Sequence, residues 1–571
     1  MADYVELHCH SYYSLLDGAS SLEALLARAV ELGLPALALT DHNAVYGAPR
    51  LARLAQACGI RPIFGAELTL IGGAHLTLLV ENERGWSNLC HLISLAQHTA
   101  AKGQAELRPE ALRDHTEGLI ALSGCRQGEV GRALLRKDAP AALAAATYYR
   151  DLFGANNFCL ELQRHLQPED GALIAELVEL AGCLGLGYVA TNNVHYARRA
   201  DKVLHDVLLC IRHRVTLAEA GPLLPDNSER YLKSSTQLQP LFKPYPEALT
   251  NTLHLAERCR FELVYGLQDL PAFPTPPGLD AAAYLQQLCQ QAVSHRYTEP
   301  AEQVWTQLSH ELAIIDRAGL ANYFLIVRDI VRYAQSQDIL CQGRGSAANS
   351  LVAYLLGISP IDPLAHDLVF ERFLSGERAL PPDIDLDFDA QRREDVIQYV
   401  YQRYGLAHAA MACTFVTFRS RSALRDLGQV LDLPAAVLRQ AAEVLRDPTT
   451  PEPETAGPVL DLKQADAVEL LVYLAQRIHG FPRHLGLHNG GMVVTRTPLA
   501  DRLPTEPATM PDRSVVQWDK DGLEDVGLIK IDLLGLRMLS AIAEANTLIT
   551  EHTARARAWS GWRSMIRPSM R

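Results

Sequence analysis

The chain has no Cys-x-x-Cys pair among its 11 scattered cysteines, and the thiols therefore read as reduced. Its start, Met1-Ala2-Asp3-Tyr4-Val5-Glu6-Leu7-His8, lacks both the basic and the apolar region of a secretion signal. No apolar run reaches the roughly 18 residues that would suggest a membrane span. These absences predict a soluble, cytoplasmic protein with no membrane partner. Excess positive charge is also missing, the net charge being -13 and the pI near 5.9. That argues against a uniformly basic nucleic-acid surface, but not against a local cationic channel, because net charge says nothing about its distribution. No internal repeat of solenoid period occurs. What the chain does have is length: 571 residues at 48% hydrophobic content suffice for about three or four domains with sizeable cores.

The most informative pattern is Pro382-Asp383-Ile384-Asp385-Leu386-Asp387-Phe388. In an extended strand, Asp383, Asp385 and Asp387 share one face while Ile384, Leu386 and Phe388 share the other. Aspartate is a poor strand former, and like charges this close raise each other's pKa unless a cation or hydrogen bonds intervene. Bound metal resolves the repulsion. Mg²⁺ favours one or two carboxylates plus substrate phosphates, and paired ions can clamp the attacking and leaving oxygens of phosphoryl transfer. A solvated acidic edge strand is the alternative.

From residue 1 to about 265, β-forming apolar runs alternate with helical patterns, as in Leu22–Leu32 followed by Ala36–Thr40, which predicts a βα layer or barrel. Leu270–Gly278 holds four prolines in nine residues and reads as an interdomain linker. A second block, from about 279 to 440, carries the aspartate strand. Pro448–Pro458 reads as an exposed loop in a helical insertion, and strand patterns return at Gly490–Thr495 and Val526–Leu534. His552–Arg571 holds five arginines and no acidic residue, and loses the apolar pattern before it.

His8 and His10, two apart on a strand, point to one face and can share a metal. Later strand-like runs also end in ligand-type residues: Asp41-His42, Glu67, Cys125 and His195, with His75 and Asp17 as further candidates. Such a row at the C-terminal ends of parallel strands is where βα barrels place their chemistry. For each residue singly, a capping aspartate, a satisfied core histidine or an inert cysteine is the alternative. Farther on, Ile339–Gln342 and Gly343-Arg344-Gly345-Ser346-Ala347-Ala348-Asn349-Ser350 read as strand, glycine turn and a helix through Leu356. Backbone N–H groups at that helix start, with Ser346 as cap and Arg344 as a fork, would make an anion site, a close packing turn being the alternative. No Gly-Lys-Ser/Thr follows, and the acidic partner of a dinucleotide fold is absent. In Gly527–Leu534, Lys530 and Asp532 share one face of an otherwise apolar strand, as a cross-strand ion pair or as a third carboxylate with a lysine for triphosphate. Arg372, Arg378, Arg392, Arg393, Arg419, Arg421 and Arg425 form a locally basic belt.

The segments HCHSYYSLLDGAS, ALALTDHN, FGAEL and ATNNVHY resemble the polymerase-and-histidinol-phosphatase (PHP) domain, a metal-binding βα barrel of bacterial family C DNA polymerases. The resemblance implies metal positions at His8, His10, Asp17, His42, Glu67, His75, Cys125, Asn193 and His195, with His91 as the rival of His75. Asn193 departs from the aspartate general in replicative members, which weakens one ligand. The glycine loop, the aspartate strand and the Asp532 strand, in this order, resemble the family C palm, a nucleotidyltransferase fold related to that of polymerase beta. By resemblance Asp385, Asp387 and Asp532 are catalytic and hold Mg²⁺, with Asp383 in support. Arg344, Gly345, Ser346 and Lys530 would hold the triphosphate, and Arg392, Arg393, Arg421 and Arg425 the DNA.

The implied architecture is a multidomain α/β chain: PHP barrel 1–268, linker 269–278, palm 279–432 and 485–550, and a helical thumb 433–484. Asn349, Asn193 and Thr417–Ser422 resemble the error-prone, translesion branch. A replicative alpha subunit and a PHP phosphoesterase or exonuclease are the alternatives. Implied ligands and partners are Mg²⁺ in the palm, Zn²⁺ or Mn²⁺ in the PHP domain, primer-template DNA and dNTP. The full-length family also implies a sliding clamp and a Y-family-like accessory protein. The resemblance ends near Ile549, so 551–571 reads as an atypical tail of a truncated chain without fingers or C-terminal domains, which would leave nucleotide binding poor.

Overall fold

The computed structural model describes residues 4–101, 103–264, 270–374, 384–446 and 466–553. Asp383, Arg378, the Pro448–Pro458 stretch and the tail from 554 lie outside the described residues. The protein is mixed α/β and forms two compact units. One comprises Met1–Val264, Cys413–Leu487 and Leu499–Asp525; the other comprises Tyr265–Ala412, His488–Pro498 and Val526–Arg571. Among the described residues no helix is long and apolar enough to cross a membrane.

In the first unit, β1 (Ala36–Leu39), β2 (Arg61–Leu70), β3 (Ala74–Val80), β4 (Leu119–Leu122), β5 (Phe158–Gln163) and β6 (Gly187–Thr191) form one sheet in sequential order. β3 runs antiparallel to both neighbours, and the other pairings are parallel. The segment 6–10 bridges both edges: Glu6 pairs with Leu37 beside β1, and Cys9 with Val194 just beyond β6. Thr40 N donates to Cys9 O (2.8 Å) and His10 N to Val194 O (2.7 Å), so the sheet curls back on itself.

Side chains two apart on a strand share a face. On one face of this sheet, Ala38, Ile63, Leu79, Ile120, Leu122, Cys159 and Val189 are buried together with Leu255, Ala256 and Cys259 at the end of helix Glu247–Arg258. Farther along the same face, at the C-terminal ends of the parallel strands, come Glu67, Glu161, Gln163 and Thr191, with Thr77 and His75 of the reversed β3. One end of this buried face is therefore hydrocarbon, and the other is polar. A further core in this unit joins helix Lys202–His213 to helices Ser420–Val430, Ala435–Val444 and Ala467–Ile478 through Leu204, Leu208, Leu427, Leu474 and Ile478.

The remaining strands are β7 (Cys341–Arg344), β8 (Asp385–Asp389), β9 (Ala409–Thr417), β10 (Pro482–Val494), β11 (Thr505–Pro507), β12 (Ser514–Asp519) and β13 (Lys530–Leu536). Within the second unit, β10, β13, β8 and β7 lie side by side in that order. β13 and β8 are parallel, with Asp532 in register with Asp385; β7 is antiparallel to β8, with Arg344 opposite Asp385. Ile384, Leu386, Phe388, Ile531 and Leu533 are buried, as the alternation predicts, and Ile384 N donates to Tyr323 Oη (3.1 Å). Asp385, Asp387, Lys530 and Asp532 fall at the opposite parity.

The turn after β7 differs from the sequence reading. Gly345–Asn349 is a 3₁₀ turn, and the helix is confined to Leu351–Leu355 with Ser350, not Ser346, as its N-cap. Its free N–H groups are already taken: Glu311 accepts from Leu351 N (2.9 Å), Val352 N (3.0 Å) and Ser350 Oγ (2.8 Å). A buried carboxylate supplied by helix Glu302–Arg317 fills the anion site expected at that helix start, a contact that sequence spacing cannot show.

Candidate functional site

Two groups of polar side chains merit a functional account, one in each unit. In the first, Glu67 of β2 lies buried at the polar end of the sheet face. Its Oε1 lies 2.7 Å from His75 Nδ1 and 3.0 Å from His42 Nδ1, and its Oε2 lies 2.9 Å from His8 Nε2. The last contact lacks hydrogen-bond geometry, leaving Glu67 Oε2 buried without a hydrogen-bond partner among the described residues. His8 Nε2 in turn faces His10 Nε2 at 3.1 Å. The ring of His10 stacks on His42 (4.3 Å between centroids) and lies 4.5 Å from His195.

Among the described residues, four sets each have their ligand atoms within 4.8 Å of one another: His8, His10 and Glu67; His42, Glu67 and His75; His10, His42 and His195; and Asp17, His195 and His205. Convergent imidazole nitrogens around a buried carboxylate, with an orphaned oxygen, fit divalent metal chemistry. Burial would raise Glu67, but His75, His8 and His42 outweigh it and hold the carboxyl well below its usual range. Burial, with His42 and His195 nearby, pushes His10 down, keeping it the neutral imidazole that a metal requires.

The other expected ligands vary in their fit. Asp17 meets His42 Nε2 (3.4 Å) and His195 Nε2 (3.5 Å). It is also held by His205 Nε2 (3.3 Å) and Arg212 Nη1 (2.7 Å) from helix Lys202–His213, residues the sequence reading did not single out. Cys125 Sγ lies 3.5 Å from His75 Nδ1. Asn193 takes a left-handed backbone (φ 42°), and its Oδ1 is buried without a partner among the described residues. His91, the rival of His75, is instead 2.7 Å from Asp501. Glu161 was also missed: its oxygen lies 2.6 Å from His8 Nδ1. The alternation in Phe158-Cys159-Leu160-Glu161-Leu162-Gln163 was the available signal.

In the second unit, Asp385 and Asp387 of β8 and Asp532 of β13 are brought onto adjacent strands in one register. Each is matched by a cation: Arg344 Nε is 3.1 Å from Asp387 Oδ1 and its Nη2 is 3.7 Å from Asp385 Oδ2, while Lys530 Nζ is 2.7 Å from Asp532 Oδ2. Asp387 and Asp532 are only 4% and 6% exposed. Burial pushes Asp387 up, with Arg344 pulling against it. Asp532 Oδ1 is buried without a hydrogen-bond partner among the described residues, with His488 Nδ1 3.9 Å away.

The trio is not drawn into a cluster as tight as the histidine sets, none of which includes these aspartates. A cleft of about 330 Å³ opens beside them, lined by Arg344, Asp387, Arg393, Asn489 and Leu534–Leu536. Gly345 turns the chain beside Asp385 with a left-handed backbone (φ 67°), a conformation that favours glycine. Asp389, next on the same face, takes a structural role, accepting from Ser540 Oγ (2.5 Å) and Gln391 N (3.0 Å). Of the arginines expected at DNA, Arg392 pairs with Asp395 (2.7 Å) and Arg393 lines the cleft, while Arg425 pairs with Asp426 (2.9 Å) and Arg421 is exposed. The first two belong to the second unit and the last two to the first.

Residues 6–165 match the PHP domain, and residues 283–535 match the bacterial DNA polymerase III alpha NTPase domain. The chain therefore carries a region that matches the bacterial DNA polymerase III alpha NTPase domain and, before it, one that matches the PHP domain. The polymerase match encloses Arg344, Asp385, Asp387 and Asp532, and the PHP match encloses His8 through Cys125 but stops before Asn193 and His195. Relatives named error-prone DNA polymerase include one from Symbiobacterium thermophilum, 44% identical over 95% of this chain and 52% of the relative. Others are from Mycobacterium tuberculosis (40%, covering 96% and 50%) and Anaeromyxobacter (38%, covering 96% and 55%). The chain thus spans about half the length of the curated relatives it matches.

Proposed function

We propose that this chain carries the nucleotidyl-transfer site of an error-prone, translesion DNA-directed DNA polymerase. A primer 3′-hydroxyl would attack the α-phosphate of a dNTP at Asp385, Asp387 and Asp532, in a palm formed by 279–432 and 485–550, with 433–484 as thumb. The observation that carries the reading is the register of β8 and β13, which sets Asp532 beside Asp385 next to the Arg344-lined cleft. Bound Mg²⁺ would lower the hydroxyl's pKa and offset charge developing in the transition state. Asp387 and Asp532 are nearly dry, so their charges act in a low dielectric. Arg344 and Lys530, already against these carboxylates, are placed to take triphosphate oxygens together with the Gly345–Ser346 turn. Partners on this reading are primer-template DNA and dNTP, with a sliding clamp and a Y-family-like protein for the longer relatives.

Primer extension tests this directly. Asp385→Ala, Asp387→Ala and Asp532→Ala should each lower extension by roughly 10³-fold or more with unchanged circular dichroism. Wild-type-like extension in any one of them removes that residue from the site.

A second reading, a PHP phosphoesterase or exonuclease using Zn²⁺ or Mn²⁺, is favoured by the four overlapping histidine-carboxylate sets. Mn²⁺ and a 3′-labelled oligonucleotide without dNTP should then release labelled nucleotide, and His10→Ala should stop the release while leaving extension intact.

A further inference from the structure

We propose that Glu161 is the positioning residue that aims His8 at a metal ion, an inference that rests on the metal-centre reading of the first unit. Glu161 Oε1 lies 2.6 Å from His8 Nδ1. A carboxylate can only accept, so Nδ1 carries a proton toward Glu161, and Nε2 is the ring nitrogen left to ligate a metal. Nε2 lies 3.1 Å from His10 Nε2 and 2.9 Å from Glu67 Oε2, which is buried without a hydrogen-bond partner among the described residues. These three ligand-type atoms, two from segment 6–10 and one from β2, lie within 4.8 Å of one another, a set that a single cation can join.

Glu161 is itself fixed. Its Oε1 accepts from Thr191 Oγ1 (2.5 Å) and Gln163 Nε2 (2.7 Å), and its backbone N–H donates to Ser123 Oγ (2.9 Å). Glu161 is 2% exposed, Gln163 7% and Thr191 0%, so water cannot replace these contacts. Thr77 Oγ1 and Gln163 Nε2 also approach His8 Nδ1, but each at 3.4 Å, so the 2.6 Å contact with Glu161 is the shortest that orients the ring. The buried negative charge also makes His8 a stronger donor, as carboxylates behind ligating imidazoles do, and losing such a partner typically weakens metal binding by about 10–100-fold.

The test uses the full chain with Mn²⁺ alone as the titrant. Glu161→Gln keeps an acceptor oxygen but no charge, whereas Glu161→Met removes both. The Kd for Mn²⁺ should rise roughly tenfold in Glu161→Gln and further in Glu161→Met. Long-range ¹H–¹⁵N spectra of labelled histidine should show the Nδ1-protonated form of His8 in wild type and Glu161→Gln, but not in Glu161→Met. A purely structural role would change melting temperature without ordering the affinities or moving the tautomer. If wild type binds Mn²⁺ and Glu161→Gln binds it equally well, the role of Glu161 is overturned and the metal centre stands. If wild type binds no Mn²⁺, both fall. Should Glu161→Met fail to fold, the Kd of Glu161→Gln decides.

Discussion

Charge inside the first unit is organised by individual side chains far from water. His165 illustrates the consequence. It is 4% exposed, its Nε2 lies 2.8 Å from Asn192 O, and burial, with Arg230 nearby, pushes it down to about 3. Between about pH 3 and 6.5 the unfolded chain therefore holds a proton that the folded one does not. Stability must rise with pH across that window, by about 1.4 kcal/mol per unit for one proton, and be fully recovered above it. His165→Asn should flatten the rise of melting temperature between pH 4 and 6; parallel curves for variant and wild type would refute this. At the residue scale, His8, His10, His42 and Glu67 were legible because ligand types recur at strand ends. Glu161, His205 and Arg212 were not. Glu161 sits mid-strand among apolar residues, and the other two lie on a helix whose facing partner, Asp17, is far away in sequence.

At the scale of elements, alternation is what makes β8 a functional strand: its apolar residues seal one face and its aspartates own the other. The same register makes β10 sensitive. A Cβ on Gly491 would come within 3.0 Å of Asp532 Oδ1 and 2.9 Å of His488 Nδ1. Gly491→Ala should displace Asp532 and lower primer extension by about 10²-fold with little loss of stability, as small misplacements at reacting groups do. Unchanged extension would show that Asp532 tolerates movement. The Leu351–Leu355 helix makes a different prediction, because its start depends on Ser350 and Glu311. Ser350→Ala should cost about 1 kcal/mol, and Glu311→Ala about 1–3 kcal/mol because buried N–H groups lose their acceptor. Denaturant melts would read both. The glycine turn was legible as a turn, but the start of the helix after it was not: Ser350 caps it and the distant Glu311 takes its N–H groups.

For the whole molecule, the unit that holds the histidine cluster is assembled from three stretches of chain, 1–264, 413–487 and 499–525. Leu474 and Leu427 pack in one core with Leu204 and Leu208 of the helix whose His205 and Arg212 grip Asp17. Leu474→Ala should therefore destabilise this unit by about 2–5 kcal/mol, lowering its melting transition. Proteolysis confined to 466–478, with the region 1–264 as resistant as in wild type, would show that the shared core does not couple them.

The sequence by itself determined the chemistry on offer. Period-two alternation identified the aspartate face, β-forming apolar runs identified the strands of the first unit, and the recurrence of ligand-type residues after those strands identified the histidine cluster. Such patterns are local, so they survive in one dimension. Only the tertiary structure decided what meets what: Glu161 behind His8, Arg212 on Asp17, Glu311 in the helix start that looked free, and Asp532 in register with Asp385. Each joins residues tens to hundreds of positions apart, and burial, hydrogen-bond geometry and strand register are properties of packing that no spacing rule encodes.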